Sequence, residues 1–172
     1  MIGTIIASFI LLFGFIGLGI FRFGLLPSYS AYASKWTEHV PLPTSLNLWS
    51  IVTILAAILL IPAMTSIGEG NYFQFLGFFA PLYLIVVGLT PEYETYRRQK
   101  RTHVIGAIIC ALCAIIWIAF VAQRWAIFLA YSFIMFMTAL ATQTHKKALI
   151  FWGEMAFFFS TYATTFLAYV QA

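Results

Sequence analysis

Apolar residues run in six long stretches along this chain, and the polar residues are gathered in the short gaps between them. Each stretch is near the roughly 20 apolar residues that an α-helix needs to cross the hydrocarbon core of a bilayer. The pattern therefore predicts an all-α, polytopic transmembrane helix bundle with six spans that form a single domain. The predicted spans cover about residues 2–21, 46–67, 73–89, 104–122, 125–141 and 148–170 of residues 1–172.

The composition requires lipid rather than water around most of the folded chain. Hydrophobic residues make up 63% of the sequence, only 8% of residues are charged, and the mean hydropathy is +0.96. A soluble domain has about 25% charged residues, so this chain cannot cover a water-facing surface. The basic residues flank apolar stretches instead of forming a face that follows phosphates, which excludes a soluble nucleic-acid-binding protein.

The cationic side chains predict which way the chain faces. The first, third and fifth gaps hold eight Lys and Arg residues, whereas the opposite side holds only Arg124. Short cytoplasmic loops carry an excess of Lys and Arg. We therefore expect these three gaps in the cytoplasm and both termini outside. The eight residues are Arg22, Lys35, Arg97, Arg98, Lys100, Arg101, Lys146 and Lys147.

The first gap contains an aromatic face at helical spacing. Tyr29, Tyr32, Ala33 and Trp36 stand at i, i+3, i+4 and i+7, just after a proline, and this spacing places them on one side of a helix. We expect a short helix lying in the interface of the inner leaflet. An ordered loop is the alternative, because so short a helix has little stability of its own.

Small residues form a stripe along the fourth stretch. Such stripes let helices approach closely in lipid, within a bundle or between proteins. Cys110 and Cys113 also spell C-x-x-C, but both lie among Ile and Ala near the middle of the stretch, so we interpret them as packing residues. The stripe comprises Gly106, Ala107, Cys110, Ala111, Cys113 and Ala114.

Glu154 is the most informative polar residue, because it lies about 9 Å past the start of the sixth stretch at the rise of an α-helix. A lone carboxylate is costly there, so it should be protonated, paired or facing a polar cavity. Thr161 continues its face, and His103 is the expected structural partner. Gln74, just inside the third stretch, is expected to cap that helix end.

Three histidines stand on the predicted cytoplasmic side with Glu154, namely His39, His103 and His145. Together these four residues suggest a metal site or a proton relay as alternatives to structural roles. No two histidines have the i, i+4 spacing that places two metal ligands on one helix face. We therefore assign no metal ligand, no cofactor and no catalytic residue.

Five short strings occur in a fixed order and resemble a family of small, uncharacterised multi-span membrane proteins of bacteria and their phages. The likeness covers about residues 26–162. It implies a six-helix integral membrane protein of the bacterial cytoplasmic (inner) membrane, it adds weight to Gln74, His103 and Glu154, and it implies no activity. The strings are Leu26-Pro27-Ser28-Tyr29-Ser30, Gln74-Phe75-Leu76, Val87-Gly88-Leu89-Thr90-Pro91, His103-Val104-Ile105-Gly106-Ala107-Ile108-Ile109-Cys110 and Phe151-Trp152-Gly153-Glu154.

Three functions fit these observations. Short loops favour a non-enzymatic accessory or interaction subunit, whose partners would be the lipid bilayer and either another protein or a second copy bound through small-residue helix faces. A small transporter or channel would use a polar path at Glu154, although one membrane carboxylate is sparse for a coupled carrier. An inner-leaflet metal-dependent enzyme would use His39, His103, His145 and Glu154, which is also a sparse set. The sequence favours the first function and identifies no substrate.

Overall fold

The computed structural model describes residues 1–39, 47–141 and 149–171, except for the side chain of His39, and these residues form an all-helical fold. The predicted all-α class is confirmed. The described helices, in chain order, are α1 (Ile2–Phe23), α2 (Ala31–His39), α3 (Leu48–Ser66), α4 (Leu76–Gly88), α5 (Arg97–Phe120), α6 (Trp125–Ala141) and α7 (Leu149–Gln171). His145, Lys146 and Lys147 lie outside the described residues.

Three of the described helices, α1, α3 and α5, are both long enough and apolar enough to cross a membrane. Helices α4 and α6 are apolar but have only 13 and 17 residues. Helix α7 has 23 residues and carries Glu154 with a series of hydroxyl residues. These lengths and compositions are those of a membrane protein.

Helix α5 begins seven residues before the predicted span, at Arg97 instead of residue 104. The basic cluster, expected in a loop, therefore lies in the first turns of α5. Arg, Lys and Gln are good helix formers, so the charged segment extends the apolar helix towards water. Helix α4 is shorter than its predicted span because residues before Leu76 form turns around Asn71.

The predicted short helix in the first gap exists as α2, but its aromatic face does not lie in a lipid interface. Tyr29 and Tyr32 are only 2% and 1% exposed. The Tyr29 ring packs against Trp49 of α3 and Phe158 of α7, and the Tyr32 hydroxyl donates to the Gly24 carbonyl at 2.8 Å. The aromatic residues thus fix α2 and the preceding loop to the bundle, because burial against protein removes more apolar surface than a headgroup position would.

The helices pack closely where α3, α4 and α5 meet and less closely where α5 faces α6 and α7. Helix α4 packs closely between α3 and α5, α1 packs on α3 and α7, and α6 packs mainly on α7. Gly77 and Gly106 allow the close approach of α4 to its neighbours, because a Cβ on Gly77 would lie 2.5 Å from the Met64 carbonyl oxygen. Contact of α5 with α6 and α7 is sparse. A crevice remains between α5 and α7.

Candidate ligand site at the Glu154 end of the bundle

Glu154 lies in the second turn of α7 and binds the loop that precedes α2. The Tyr29 backbone N–H donates to its Oε2 atom at 2.6 Å, and the Phe151 N–H donates to the Pro27 carbonyl at 3.0 Å. These two bonds attach the loop to the start of α7. The predicted direct pair of Glu154 with His103 is wrong, since the carboxylate takes a backbone donor instead.

His103 is buried in the second turn of α5, and each ring nitrogen has a hydroxyl partner. Its Nε2 atom lies 2.9 Å from Ser30 Oγ, and its Nδ1 atom lies 3.0 Å from Thr90 Oγ1. The Tyr93 ring stacks on the imidazole with 4.3 Å between ring centroids, and Trp49 lies at 6.2 Å. His103 therefore links the loop before α2, the loop after α4 and α5.

The hydrogen bonds favour one tautomer of a neutral His103. The Thr90 hydroxyl lies 2.9 Å from the Val87 carbonyl oxygen, which can only accept. When the hydroxyl donates there, its oxygen accepts from His103 Nδ1–H at 3.0 Å. The Nε2 atom is then an acceptor and takes the hydroxyl proton of Ser30. In this arrangement Ser30 offers only acceptor capacity to any other group.

Two tyrosines, the buried Tyr29 and the partly buried Tyr93, complete this cluster as neutral phenols. The Tyr29 hydroxyl lies 2.7 Å from Thr53 Oγ1, whose own hydrogen is donated to the Trp49 carbonyl, so Tyr29 donates to Thr53. Burial raises the pKa of Tyr29 well above its ordinary value. Burial, with the nearby charge of Glu94, raises the pKa of Tyr93 to about 12. Both residues therefore keep their hydroxyl protons at physiological pH.

A cavity of about 210 Å³ lies beside this cluster, between α4, α5 and α7. Ser30 and Glu154 are on its wall, and nearly all of the remaining lining is apolar. A second crevice of about 400 Å³ adjoins it, because Ala111, Gly153 and Phe157 border both. A Cβ on Gly153 would meet no atom within 4 Å. Small residues on α5 and α7 thus leave an open apolar space that ends at two polar side chains.

Gln74 and Thr161 lie apart from the Glu154 cluster. The Gln74 side chain donates from Nε2 to the Thr65 carbonyl at 2.7 Å and joins the ends of α3 and α4. The buried Thr161 hydroxyl donates to the Phe157 carbonyl within α7 at 2.9 Å, and Thr165 repeats this pattern with Thr161. The predicted polar stripe of α7 is buried, but these two hydroxyls are used by their own helix.

Ser30, Thr90 and Tyr93 are site residues that the sequence did not single out for chemistry. Ser30 and Thr90 stand within two of the strings that carry the family resemblance, which was the available signal. Nothing in their spacing indicated that the hydroxyls of Ser30 and Thr90 would both contact the imidazole of His103, because Ser30, Thr90 and His103 are separated along the chain.

The described residues contain no group of three His, Cys, Asp or Glu side chains that could hold a metal ion. Cys110 is a free, buried thiol on the wall of the cavity, and Cys113 is a free, partly buried thiol. His145 and the side chain of His39 fall outside the described residues. The four-residue metal site considered from the sequence therefore has two described side chains, His103 and Glu154.

No family model, no curated protein and no solved structure matches this chain.

Proposed function

We propose that this chain is a six-span integral membrane protein of the bacterial inner membrane, with both termini outside the cytoplasm. In this proposal it acts without catalysis, as an accessory or interaction subunit whose buried polar cluster binds a molecule from the membrane. The resemblance to small bacterial and phage membrane proteins supports the location. Apart from the lipid bilayer, a protein partner or second copy would bind through lipid-facing helix surfaces.

The observation that supports six membrane crossings is the set of contacts between residues of different gaps. Six spans in alternating directions would bring the odd-numbered gaps together on one side of the membrane. Ser30 of the first gap and Thr90 of the third meet at His103, and Tyr29 of the first gap binds Glu154, just after the fifth gap. Residues of the first and third gaps thus share one cluster with Glu154 near the start of α7.

The opposite end of the bundle has a matching arrangement. The Asn71 side chain, in the second gap, donates at 2.9 Å to the carbonyl of Phe120, the last residue of α5, next to the fourth gap. The Arg124 guanidinium, in the fourth gap, donates to the Gln171 side chain at the end of α7. Contacts among the even-numbered gaps and the end of α7, the sixth predicted span, fit the same six-span topology.

The geometry gives less support to a transporter or channel. Thr161, Thr164 and Thr165 would have to line a polar path. The hydroxyls of Thr161 and Thr165 donate to carbonyls of α7, and Thr164 is fully buried. Phe157 and Phe158 also stand between Glu154 and Thr161 along the helix, and both contribute to the apolar wall of the cavity. A cavity with one polar end is better suited to holding an amphipathic molecule than to conducting ions.

A matched pair of cysteine variants tests the topology. Tyr72 and Tyr96 are both exposed and lie in the second and third gaps, so Tyr72→Cys and Tyr96→Cys can be compared in a Cys110→Ser, Cys113→Ser background. We expect a membrane-impermeant maleimide to label Cys at position 72 in intact cells, and to label Cys at position 96 only after permeabilisation. Equal labelling of both positions in intact cells would overturn the proposed topology.

A further inference from the structure

We propose that the cavity at Ser30 and Glu154 is a binding site for the ammonium head of a long-chain amine, with the alkyl chain lying in the crevice between α5 and α7. The inference rests on the proposed membrane location and names the ligand class of the same site. Three independent features carry it: the hydrogen-bonding capacity of the polar end, its charge and the shape of the apolar space.

The polar end of the cavity offers acceptors to a ligand. In the Nδ1–H tautomer of His103, Ser30 donates its hydrogen to Nε2, so the Ser30 oxygen can only accept from a ligand. An ionised Glu154 is an acceptor at both oxygens, and among the described residues only its Oε2 atom has a partner, the Tyr29 N–H. The Tyr29 hydroxyl is used by Thr53. A head group with several N–H donors fits this set, whereas a phosphate or carboxylate would meet only acceptors.

The charge of the site points to the same class. In the described part of the chain Glu154 has no cationic partner, and the one ion pair there joins Lys35 to Glu38 on the exposed side of α2. A carboxylate beside an apolar cavity is stabilised by an opposite charge within hydrogen-bond distance. A primary ammonium supplies that charge together with three donors.

The apolar space accommodates a chain that enters from the bilayer. Ala107 and Gly153 are exposed on the flanks of α5 and α7 and also border the cavity. The adjoining crevice extends the apolar surface along Phe128, Met135 and Trp152. An amphiphile in the membrane would therefore reach Glu154 by sliding its head between two helices while its chain remains in apolar surroundings.

Binding of dodecylamine to the full chain in lipid nanodiscs tests the inference. We expect saturable binding of radiolabelled dodecylamine at one site per chain, with weak or no competition by dodecanol and dodecanoate. Equal competition by all three amphiphiles would mean that the site does not recognise an ammonium group, and absence of saturable dodecylamine binding would overturn the site itself.

Two variants, one of them with a matched control, locate the site. Glu154→Gln keeps an acceptor for the Tyr29 N–H but removes the charge, so we expect at least tenfold weaker dodecylamine binding. Gly153→Leu fills open space in the crevice and should abolish binding, whereas Gly14→Leu, on α1 where a Cβ also meets no atom within 4 Å, should leave it unchanged. Full binding by both site variants would overturn the proposal.

These results are separable from the test of the proposed function. If the cysteine labelling confirms the topology and dodecylamine does not bind, the ligand assignment fails and the six-span proposal stands. If dodecylamine binds with the expected variant pattern but labelling contradicts the topology, the site stands and the proposed orientation fails.

Discussion

Glu154 is accommodated in an apolar helix by a donor that carries no sequence signature. Its Oε2 atom accepts the backbone N–H of Tyr29 at 2.6 Å, and this bond also fixes the loop that brings Ser30 to His103. A buried polar group without a partner costs several kcal/mol in an apolar medium, so the bond between Glu154 and the loop stabilises both segments. The carboxylate therefore has a structural role even before any ligand is considered.

Substitutions at Glu154 should separate the need for an acceptor from the need for a charge. Glu154→Gln keeps an oxygen for the Tyr29 N–H and should lower the free energy of unfolding by only about 1 kcal/mol, the difference between a charged and a neutral hydrogen bond. Glu154→Lys places the lysine ammonium, a donor, against the Tyr29 N–H, which is also a donor. It leaves a charge in the protein interior without a partner, which costs about 3–5 kcal/mol. Thermal unfolding in detergent and membrane expression levels measure both effects. Equal stability of the two variants would contradict this account.

The hydroxyls around His103 predict its tautomer. Because Thr90 donates to Val87, a neutral His103 carries its proton on Nδ1 and accepts the Ser30 hydroxyl at Nε2. Nitrogen-15 spectra of histidine-labelled protein should show this tautomer, with the signal assigned by its loss in His103→Gln. A signal from the Nε2–H tautomer would show that Ser30 is an acceptor from His103 and would remove one support for the ammonium site.

Removing the imidazole should also reveal its coupling to Ser30. His103→Leu leaves the buried hydroxyls of Ser30 and Thr90 without their partner, and we expect it to cost about 2–4 kcal/mol. In the double variant with Ser30→Ala, the loss of unfolding free energy should be smaller than the sum of the two single losses by about 0.5–3 kcal/mol. Chemical unfolding of the four proteins measures this coupling, and additive losses would mean that the two side chains stabilise the fold independently.

At the scale of elements, glycines serve opposite purposes on α4 and α7. Gly77 permits contact, since a Cβ there would lie 2.5 Å from the Met64 carbonyl oxygen and 2.8 Å from Trp117 Nε1. Gly153 instead borders open space. Gly77→Ala should therefore destabilise the protein by about 1–3 kcal/mol through overpacking. Gly153→Ala should be neutral or stabilise by up to about 1 kcal/mol, because alanine is the better helix former. Melting temperatures in one detergent compare this matched pair, and a stable Gly77→Ala variant would contradict the tight packing of α3 on α4.

The boundaries of the elements were predictable where apolar residues meet turn residues and were less so elsewhere. Helix α6 begins at Trp125, where its span was predicted to begin, because Arg124 precedes it and the apolar run that follows is continuous. Helix α5 began earlier than predicted, because hydropathy does not detect a charged segment that is a good helix former. The burial of α2 was missed, since aromatic spacing predicts a helical face but does not tell whether lipid or protein covers it.

The candidate site was predictable only in part for a similar reason. Glu154 and His103 stand out because polar residues are rare in apolar helices and usually functional or paired. Their actual partners are a backbone N–H and the hydroxyls of Ser30 and Thr90. Serine and threonine are common at helix ends, so their composition gives no signal. Only the tertiary packing of the first and third gaps against the start of α7 brings these groups together.

At the scale of the whole molecule, the polar ends of the bundle and the distribution of charge support the same proposed orientation. The cluster of Tyr29, Ser30 and His103 lies at the end where α5 starts with four basic residues in its first five positions. Basic residues at this end also attract anionic lipids, worth about 1 kcal/mol for each residue near the surface. A ligand with an ammonium head would then bind on the cytoplasmic side, at the depth of the second turns of α5 and α7.

Moving charge from one end to the other should disturb this orientation. Replacing the four basic residues at the start of α5 by Gln halves the number of cationic residues in the odd-numbered gaps from eight to four. The opposite side still has only Arg124, so we expect the topology to hold. Adding Glu69→Lys and Tyr72→Lys, at exposed positions of the second gap, gives four cationic residues in the odd-numbered gaps and three on the opposite side. Because the bias in Lys and Arg sets the orientation, this second variant should insert in both directions, and a Cys at position 96 should become partly labelled by impermeant maleimide in intact cells. Unchanged protection of that Cys would show that the helices, and not the cationic gaps, determine how the chain faces. The four basic residues replaced are Arg97, Arg98, Lys100 and Arg101.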